Sequence, residues 1–241
     1  MSRIWAIARR DLAGALFSWT GWVIIAALLL LHGLAFHGFA LSAEAKSSSV
    51  IAMFFYLSSG FTAAAGILLS MRTFAEDRQT GTLTLLESSV ATEWELVLGK
   101  FLGAYFFLLV YLALTPYMPA LVFVNGSVSL SHIAVGYVGL ALLGAAVVAV
   151  GTLVSSLSPS QLVAAVAGLG VTLLLFLLYF IGGKIEGALS DVVIYLDAFY
   201  EHYRSFTRGT FKASTAIYYF SLTYLALLAA KNVVQQKRWR G

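Results

Sequence analysis

Six stretches of this chain run for 17 to 24 residues without one aspartate, glutamate, lysine or arginine: residues 19–41, 50–71, 101–124, 133–156, 161–181 and 214–230. No other feature limits the fold as tightly. A hydrocarbon core about 30 Å thick takes about 20 helical residues at about 1.5 Å each, close to the length of every stretch. Fragments such as VIIAALLLL and VTLLLFLLYF would pass for buried strands by pattern alone. Inside lipid, every backbone N–H and C=O needs a partner within its own segment, and a helix of this length supplies one. The expectation is an all-α polytopic membrane protein with six transmembrane helices.

Composition agrees. AVILMFWYC make up 60% of the 241 residues and DEKR 11%, where a soluble domain is nearer half and a quarter. Little polar sequence is left for a cytosolic enzyme domain. With no cysteine in the chain, disulfide scaffolds, thiolate metal sites and cysteine nucleophiles are excluded. The net charge of +4 matters by position. Arg3, Arg9 and Arg10 precede the first stretch, Arg72, Arg78 and Lys100 separate the second from the third, and Lys231, Lys237, Arg238 and Arg240 follow the sixth. Lys46, Lys184, Arg204, Arg208 and Lys212 fall on the other side. Basic residues mark the cytoplasmic face, so both termini are expected there. Arginines and an Ala43-Glu44-Ala45 tripeptide flank the first run as in a signal peptide, but the run is too long for one and is expected to stay as an anchor.

Three segments are not spans. In residues 1–18, Ile4, Trp5, Ala8, Leu12, Ala15 and Leu16 share an arc with Trp19, opposite Arg3 and Arg10. This predicts an amphipathic helix at the inner-leaflet interface. Residues 72–100 hold Glu76, Asp77, Glu87, Glu93 and Glu95. Gly81 breaks the helix there, Thr82-Leu83-Thr84-Leu85-Leu86 makes a short helix with exposed leucines, and Thr92 with Glu95 forms a capping box that restarts the chain. In residues 182–213, Ile185, Leu189, Val192, Leu196, Phe199 and Tyr203 recur at helical steps among Glu186, Asp191, Asp197 and Glu201. That pattern predicts outer interfacial helices, which either form an aromatic belt or gate an exit path.

Much chemistry is missing. The spans hold no charge, whereas ion-driven carriers keep intramembrane acids or histidines. His32 and His37, five residues apart without a carboxylate nearby, suit packing or interface positions better than a shared ligand face. HExxH and GxSxG are absent, and Gly99-Lys100 is followed by Phe101 without the upstream glycine of a P-loop. The basic residues flank spans, which gives nucleic-acid binding no support. The spans do offer close helix approach at Gly99 with Gly103, Gly66 with Ser70, and Gly136, Gly139 and Gly144. Pro116 and Pro119 should kink the third span.

Phe74-Ala75-Glu76-Asp77-Arg78-Gln79-Thr80-Gly81-Thr82-Leu83-Thr84-Leu85-Leu86, followed by Leu98-Gly99-Lys100, resembles the permease subunits of type-2 (ABC-2) ATP-binding-cassette exporters. Glu201-His202-Tyr203, Phe206, Arg208-Gly209, Tyr218-Tyr219-Phe220 and Lys237-Arg238-Trp239 resemble more narrowly the gliding-motility (GldF-type) permease subgroup. The resemblance implies a single permease domain over 1–241: a connecting helix in 1–18, spans one to five in 19–181 with a coupling loop in 72–100, an outer segment in 182–213 and the last span in 214–231. It implies docking of an ATPase on Glu76, Asp77, Arg78, Gly81, Thr82, Leu83 and Leu86, and an outer gate or interface at Phe199, Tyr203 and Phe206. The chain itself would catalyse nothing and hold no cofactor, with ATP and magnesium bound by the partner ATPase. A second permease subunit, membrane lipids and a periplasmic partner complete the expected company, in a bacterial inner membrane. The implied function is ATP-driven export, favouring an amphipathic or lipid-linked substrate. A mechanotransmitting scaffold driven by the same ATPase is the alternative, and an ion-coupled carrier is disfavoured by the charge-free spans.

Overall fold

The computed structural model describes residues 2–41, 47–82, 91–125, 129–185 and 187–238. Leu83, Leu86, Glu87, Glu186 and Trp239, with the Ala43-Glu44-Ala45 tripeptide and Lys46, lie outside the described residues. In chain order the helices are α1 (Ser2–Leu16), α2 (Trp19–Ala35), α3 (Ser47–Ser70), α4 (Arg72–Gln79), α5 (Glu93–Ala113), α6 (Tyr117–Asn125), α7 (Leu130–Leu157), α8 (Gln161–Gly182), α9 (Ala188–Tyr195), α10 (Tyr200–Thr207) and α11 (Ala213–Arg238). A π-helical turn, Phe36–Leu41, extends α2. No strand occurs among the described residues. Six helical stretches are long and apolar enough to cross a membrane: α2 with its π turn, α3 with α4, α5 with α6, α7, α8 and α11. The chain is an all-α multi-pass membrane protein.

The helices overrun the charge-free stretches. After a turn at Met71, α4 carries the second span on to Gln79. Thr80 then caps it and Gly81 takes the left-handed conformation at φ +73°, a position that costs glycine nothing and other residues about 1 kcal/mol or more. The third span starts eight residues before Phe101, at Glu93. There the Thr92 amide donates to Glu95 Oε2 at 2.9 Å and the Glu95 amide to Thr92 Oγ1 at 3.3 Å, the reciprocal box expected from the sequence. At its other end this span breaks. Helix α5 stops at Ala113 and α6 resumes at Tyr117, beyond Pro116, with Pro119 in the first turn of α6, where a missing N–H is tolerated.

Helix α7 is the hub, packing against α11, α3, α5 and α8. Its glycines make that possible. A β-carbon on Gly139 would sit 2.5 Å from Phe206 Cγ, and one on Gly144 would sit 2.6 Å from Leu108 Cδ2. One on Gly136 would enter the Phe55 ring. Around this core, α2 and α8 turn large apolar side chains outward, with Trp19 at 87% and Leu162 at 75% exposure, the distribution expected where lipid replaces protein as neighbour. Both chain ends lie at one end of the bundle, since Asp11 of α1 reaches Lys100 at the start of α5 and Arg238 of α11 reaches Glu93. This is called the terminal end below, and the opposite one the distal end.

At the distal end the outer helices expected across 182–213 are α9 and α10, and they differ in burial. The chain bends at Asp197. Leu189, Val192 and Leu196 stay exposed, whereas Phe199, Tyr203 and Phe206 are buried in the bundle. The bend has a local cause: Asp197 Oδ2 accepts the amides of Phe199 at 3.2 Å and Glu201 at 2.7 Å, capping α10 and turning it inward. Tyr219 Oη donates to Ala198 O at 2.6 Å and Tyr218 Oη to Leu196 O at 2.8 Å, propping the elbow from α11.

Burial pushes the Asp197 carboxyl above its ordinary range, against the pull of the amides it caps. A carboxyl raised in the folded state stabilises the fold fully below its unfolded pKa of about 4, and that contribution fades as pH rises through the folded value. Asp197→Asn keeps an oxygen for the α10 cap and removes the titration. Tryptic cleavage at the exposed Arg204 and Arg208 should therefore vary with pH in the parent more than in the variant, once corrected for trypsin's own profile. An unchanged slope in the variant would assign the titration to another group.

Candidate functional site

The charged sequence Glu76-Asp77-Arg78 sits on α4, where Asp77 and Arg78 find partners on other helices and Glu76 finds one on its own. Helix α4 starts without a local cap. Its substitute comes from α7: Ser155 Oγ accepts the amides of Phe74 and Ala75, both at 3.1 Å, and donates to Met71 O at 2.9 Å. One buried hydroxyl thus satisfies two N–H groups of the first turn and fixes the bend between α3 and α4.

Glu76 forms a bidentate pair with Arg72, at 2.8 and 2.9 Å, and the remaining arm of Arg72 donates to Thr20 of α2 at 3.0 Å. Asp77 contacts the ammonium of Lys100, and Arg10 of α1 lies 3.7 Å from the same carboxylate. Lys100 reaches Asp11 of α1 at 3.0 Å and is only 2% exposed. Arg78 donates to the carbonyls of Ser156, at 3.0 Å, and Ser158, in the turn between α7 and α8. Lys237 of α11 donates to that Ser156 carbonyl at 2.7 Å. The short helix is tied in this way to α1, α2, α5, α7 and, through the shared carbonyl, α11.

Thr82 folds back on the same helix, its hydroxyl 3.0 Å from Asp77 Oδ1, while Thr80 Oγ1 donates to Glu76 O at 3.1 Å. Of the expected docking residues, the structure therefore brings Glu76, Asp77, Arg78, Gly81 and Thr82 together at the terminal end. Asp77 and Arg78 reach neighbouring helices, Glu76 pairs along α4 with Arg72, and Gly81 is left on the surface. The expected Leu83 and Leu86 follow directly in the chain.

The amphipathic amino-terminal helix belongs to this site. Gly99 and Gly103 of α5 form a smooth track on which α1 lies. A β-carbon on Gly99 would meet Ile7 Cβ at 2.7 Å, and one on Gly103 would meet Asp11 Cβ at 2.9 Å. The face that α1 buries is centred on Ala8, with Trp5 left half-exposed and edge-on to Phe106 at 6.0 Å. Beside the track a cleft of about 430 Å³ opens between α1 and α4, walled by Arg10, Asp11, Arg72 and Glu76 and floored by Ile24, Leu69 and Phe107.

Asp11 and Ser155 escape a reading of the sequence. An acid next to two arginines on an amphipathic helix looks solvated, and a serine near Ser158-Pro159-Ser160 looks like part of a connector. The histidines of the first span separate cleanly. His37 is exposed. His32 is buried between the rings of Phe54 and Phe61. Ser58 gives its single proton to Phe54 O at 2.7 Å, so His32 Nε2–H donates to Ser58 Oγ at 3.1 Å, and Nδ1 accepts from Tyr111 Oη at 3.2 Å. With both nitrogens committed and its ring stacked, His32 packs α2 against α3 and α5. Among the described residues no cluster of acids and histidines suits a metal.

Residues 5–230 match the family model described as ABC-2 family transporter protein. The chain belongs to that family. The match spans α1 through most of α11, so α4 and the residues of α1, α2, α5 and α7 that hold it lie within the ABC-2 unit. No curated protein matched the chain. As an ABC-2 permease chain it is the membrane-embedded part of a transporter, and the family implies ABC ATPases as partners.

Proposed function

We propose that this chain is the permease subunit of an ATP-driven exporter, receiving force from a separate ATPase on the segment that follows α4. The observation that supports this best is the bracing of α4. Five of its eight residues, Arg72, Phe74, Ala75, Asp77 and Arg78, carry ion pairs or hydrogen bonds to α1, α2, α5 and α7, which makes α4 a stiff lever between residues 80–90 and the spans. Asp77 and Arg78 act as struts to neighbouring helices, and Glu76 holds Arg72, which reaches α2. That leaves docking to Gly81 and Thr82 together with the apolar Leu83 and Leu86. In this reading both termini face the cytoplasm of a bacterial inner membrane, two permease subunits pair around a path, and the chain falls in the gliding-motility (GldF-type) subgroup. Charge-free spans favour an amphipathic or lipid-linked substrate over a small ion.

Phe199, Tyr203 and Phe206 act from inside the protomer. They seat α10 against α7 and α8, Phe199 stacking on Phe176, so the gate they serve opens by moving α10 as a unit. Leu83→Asp with Leu86→Asp should abolish co-purification of the ATPase while the permease still inserts and folds. An intact complex would put docking elsewhere. ATP-dependent efflux from vesicles holding the complex separates transport from force transmission without transport, and efflux driven by a proton gradient alone would return the carrier reading.

A further inference from the structure

We infer that Lys100 is a pin that makes α1 and α4 one moving body, so that a displacement of α4 is delivered to the amino-terminal helix along with the spans. The inference rests on the coupling reading above for its purpose, and on geometry for its existence. A lysine at the end of a membrane span ordinarily extends its stem to place the ammonium in water. Lys100 does the reverse. It lies at 2% exposure, its ammonium held between Asp11 of α1 and Asp77 of α4, with the Phe74 ring 5.7 Å away. The two carboxylates come from elements 66 residues apart in sequence, and of the two cations that contact both, Arg10 and Lys100, Lys100 is the buried one.

Packing alone does not fix how α1 sits. Gly99 and Gly103 present α1 with backbone and no side chains, which sets a short distance but little resistance to sliding along the track. The cleft of about 430 Å³ beside it leaves room on the α4 side. Register must therefore come from a directional contact, and a buried ion pair is the kind of interaction that supplies one. Arg10, 3.7 Å from Asp77, adds a second α1 contact to α4 but is half-exposed, so screening weakens it. Losing Lys100 would leave the pairing of the two carboxylates to Arg10, half-exposed at 2.7 Å from Asp11 and 3.7 Å from Asp77, which would loosen α1 against α4.

Lys100→Met alone is expected to destabilise the chain and so cannot decide the matter. The deciding variant is Asp11→Asn with Lys100→Met and Asp77→Asn, which removes the charges together and should recover folding. Because the chain has no cysteine, spin labels on Arg9→Cys and Gln79→Cys report the α1–α4 distance without background. In the parent, that distance should give one narrow population, with and without nucleotide in the ATPase complex. In the triple variant it should at least double in width. ATPase binding and ATP hydrolysis should persist there while ATP-driven export falls at least tenfold. A narrow distance in the triple variant would overturn the pin, as would full export. If the parent recruits no ATPase, the coupling reading fails, and the distance widths in the chain alone still judge the pin.

Discussion

Arg78→Met should leave the partner ATPase bound and yet disconnect it from the bundle. The Arg78 guanidinium donates to the carbonyls of Ser156 and Ser158, at the end of α7. Charge-assisted hydrogen bonds of this kind contribute about 1.5–3 kcal/mol each, and methionine fills similar volume without replacing them, so a loss of about 3 kcal/mol is expected. Ser156 O retains Lys237 as a donor, which limits the damage to the tie between α4 and α7. The measurement pairs denaturant unfolding in detergent with co-purification and ATP-driven export. Stability should fall and export should fall with it, while the complex survives. Arg78→Lys should restore part of both, since one ammonium reaches a carbonyl but lacks the planar fork that spans two. A variant that unfolds no more easily and sheds its ATPase would make Arg78 a docking residue after all.

Gly139→Leu should be still more damaging, at the distal end. Even the first carbon of the new side chain would lie 2.5 Å from Phe206 Cγ and 2.7 Å from its Cβ. Phe206 is fully buried and has nowhere to go. Overpacking of a tight core typically costs about 1–3 kcal/mol and occasionally more. Here the clash is with the root of a ring and not its flexible tip, so more than about 3 kcal/mol is expected. Expulsion of α10 is the structural consequence. Trypsin should then cut at Arg204 and Arg208 far faster in the variant, while the terminal-end site stays intact by the α1–α4 distance. Equal cleavage rates would show that α10 is not held by α7. Gly170→Leu is the control, because a β-carbon there meets nothing within 4 Å.

How much of this was legible in the sequence varies with the physics involved. The spans were, because membrane thickness sets a length and lipid forbids charge. The Thr92–Glu95 box and the stop at Gly81 were, because caps and left-handed turns are local. The partners of the glycines were not: spacing announces a flat helix face but not what lies on it, so Gly99 and Gly103 read as generic packing until α1 appeared there. Lys100 read as one more flanking cation, since burial depends on Asp11, 89 residues earlier, and Asp77, 23 earlier. The inward turn of α10 was hidden for a related reason. An amphipathic period looks the same whether its apolar face meets headgroups or a bundle, and only the Asp197 cap and the space opposite Gly139 decide.

The web of contacts around α4 also has a kinetic meaning. Its ties to neighbouring helices share charges and carbonyls, so a partial shift strands the Lys100 ammonium, which is only 2% exposed. At about 4 kcal/mol for such a stranded group, only on the order of one molecule in a thousand would be caught midway. The response to an external push would then be abrupt, a jump between two settled arrangements with almost no dwell between them.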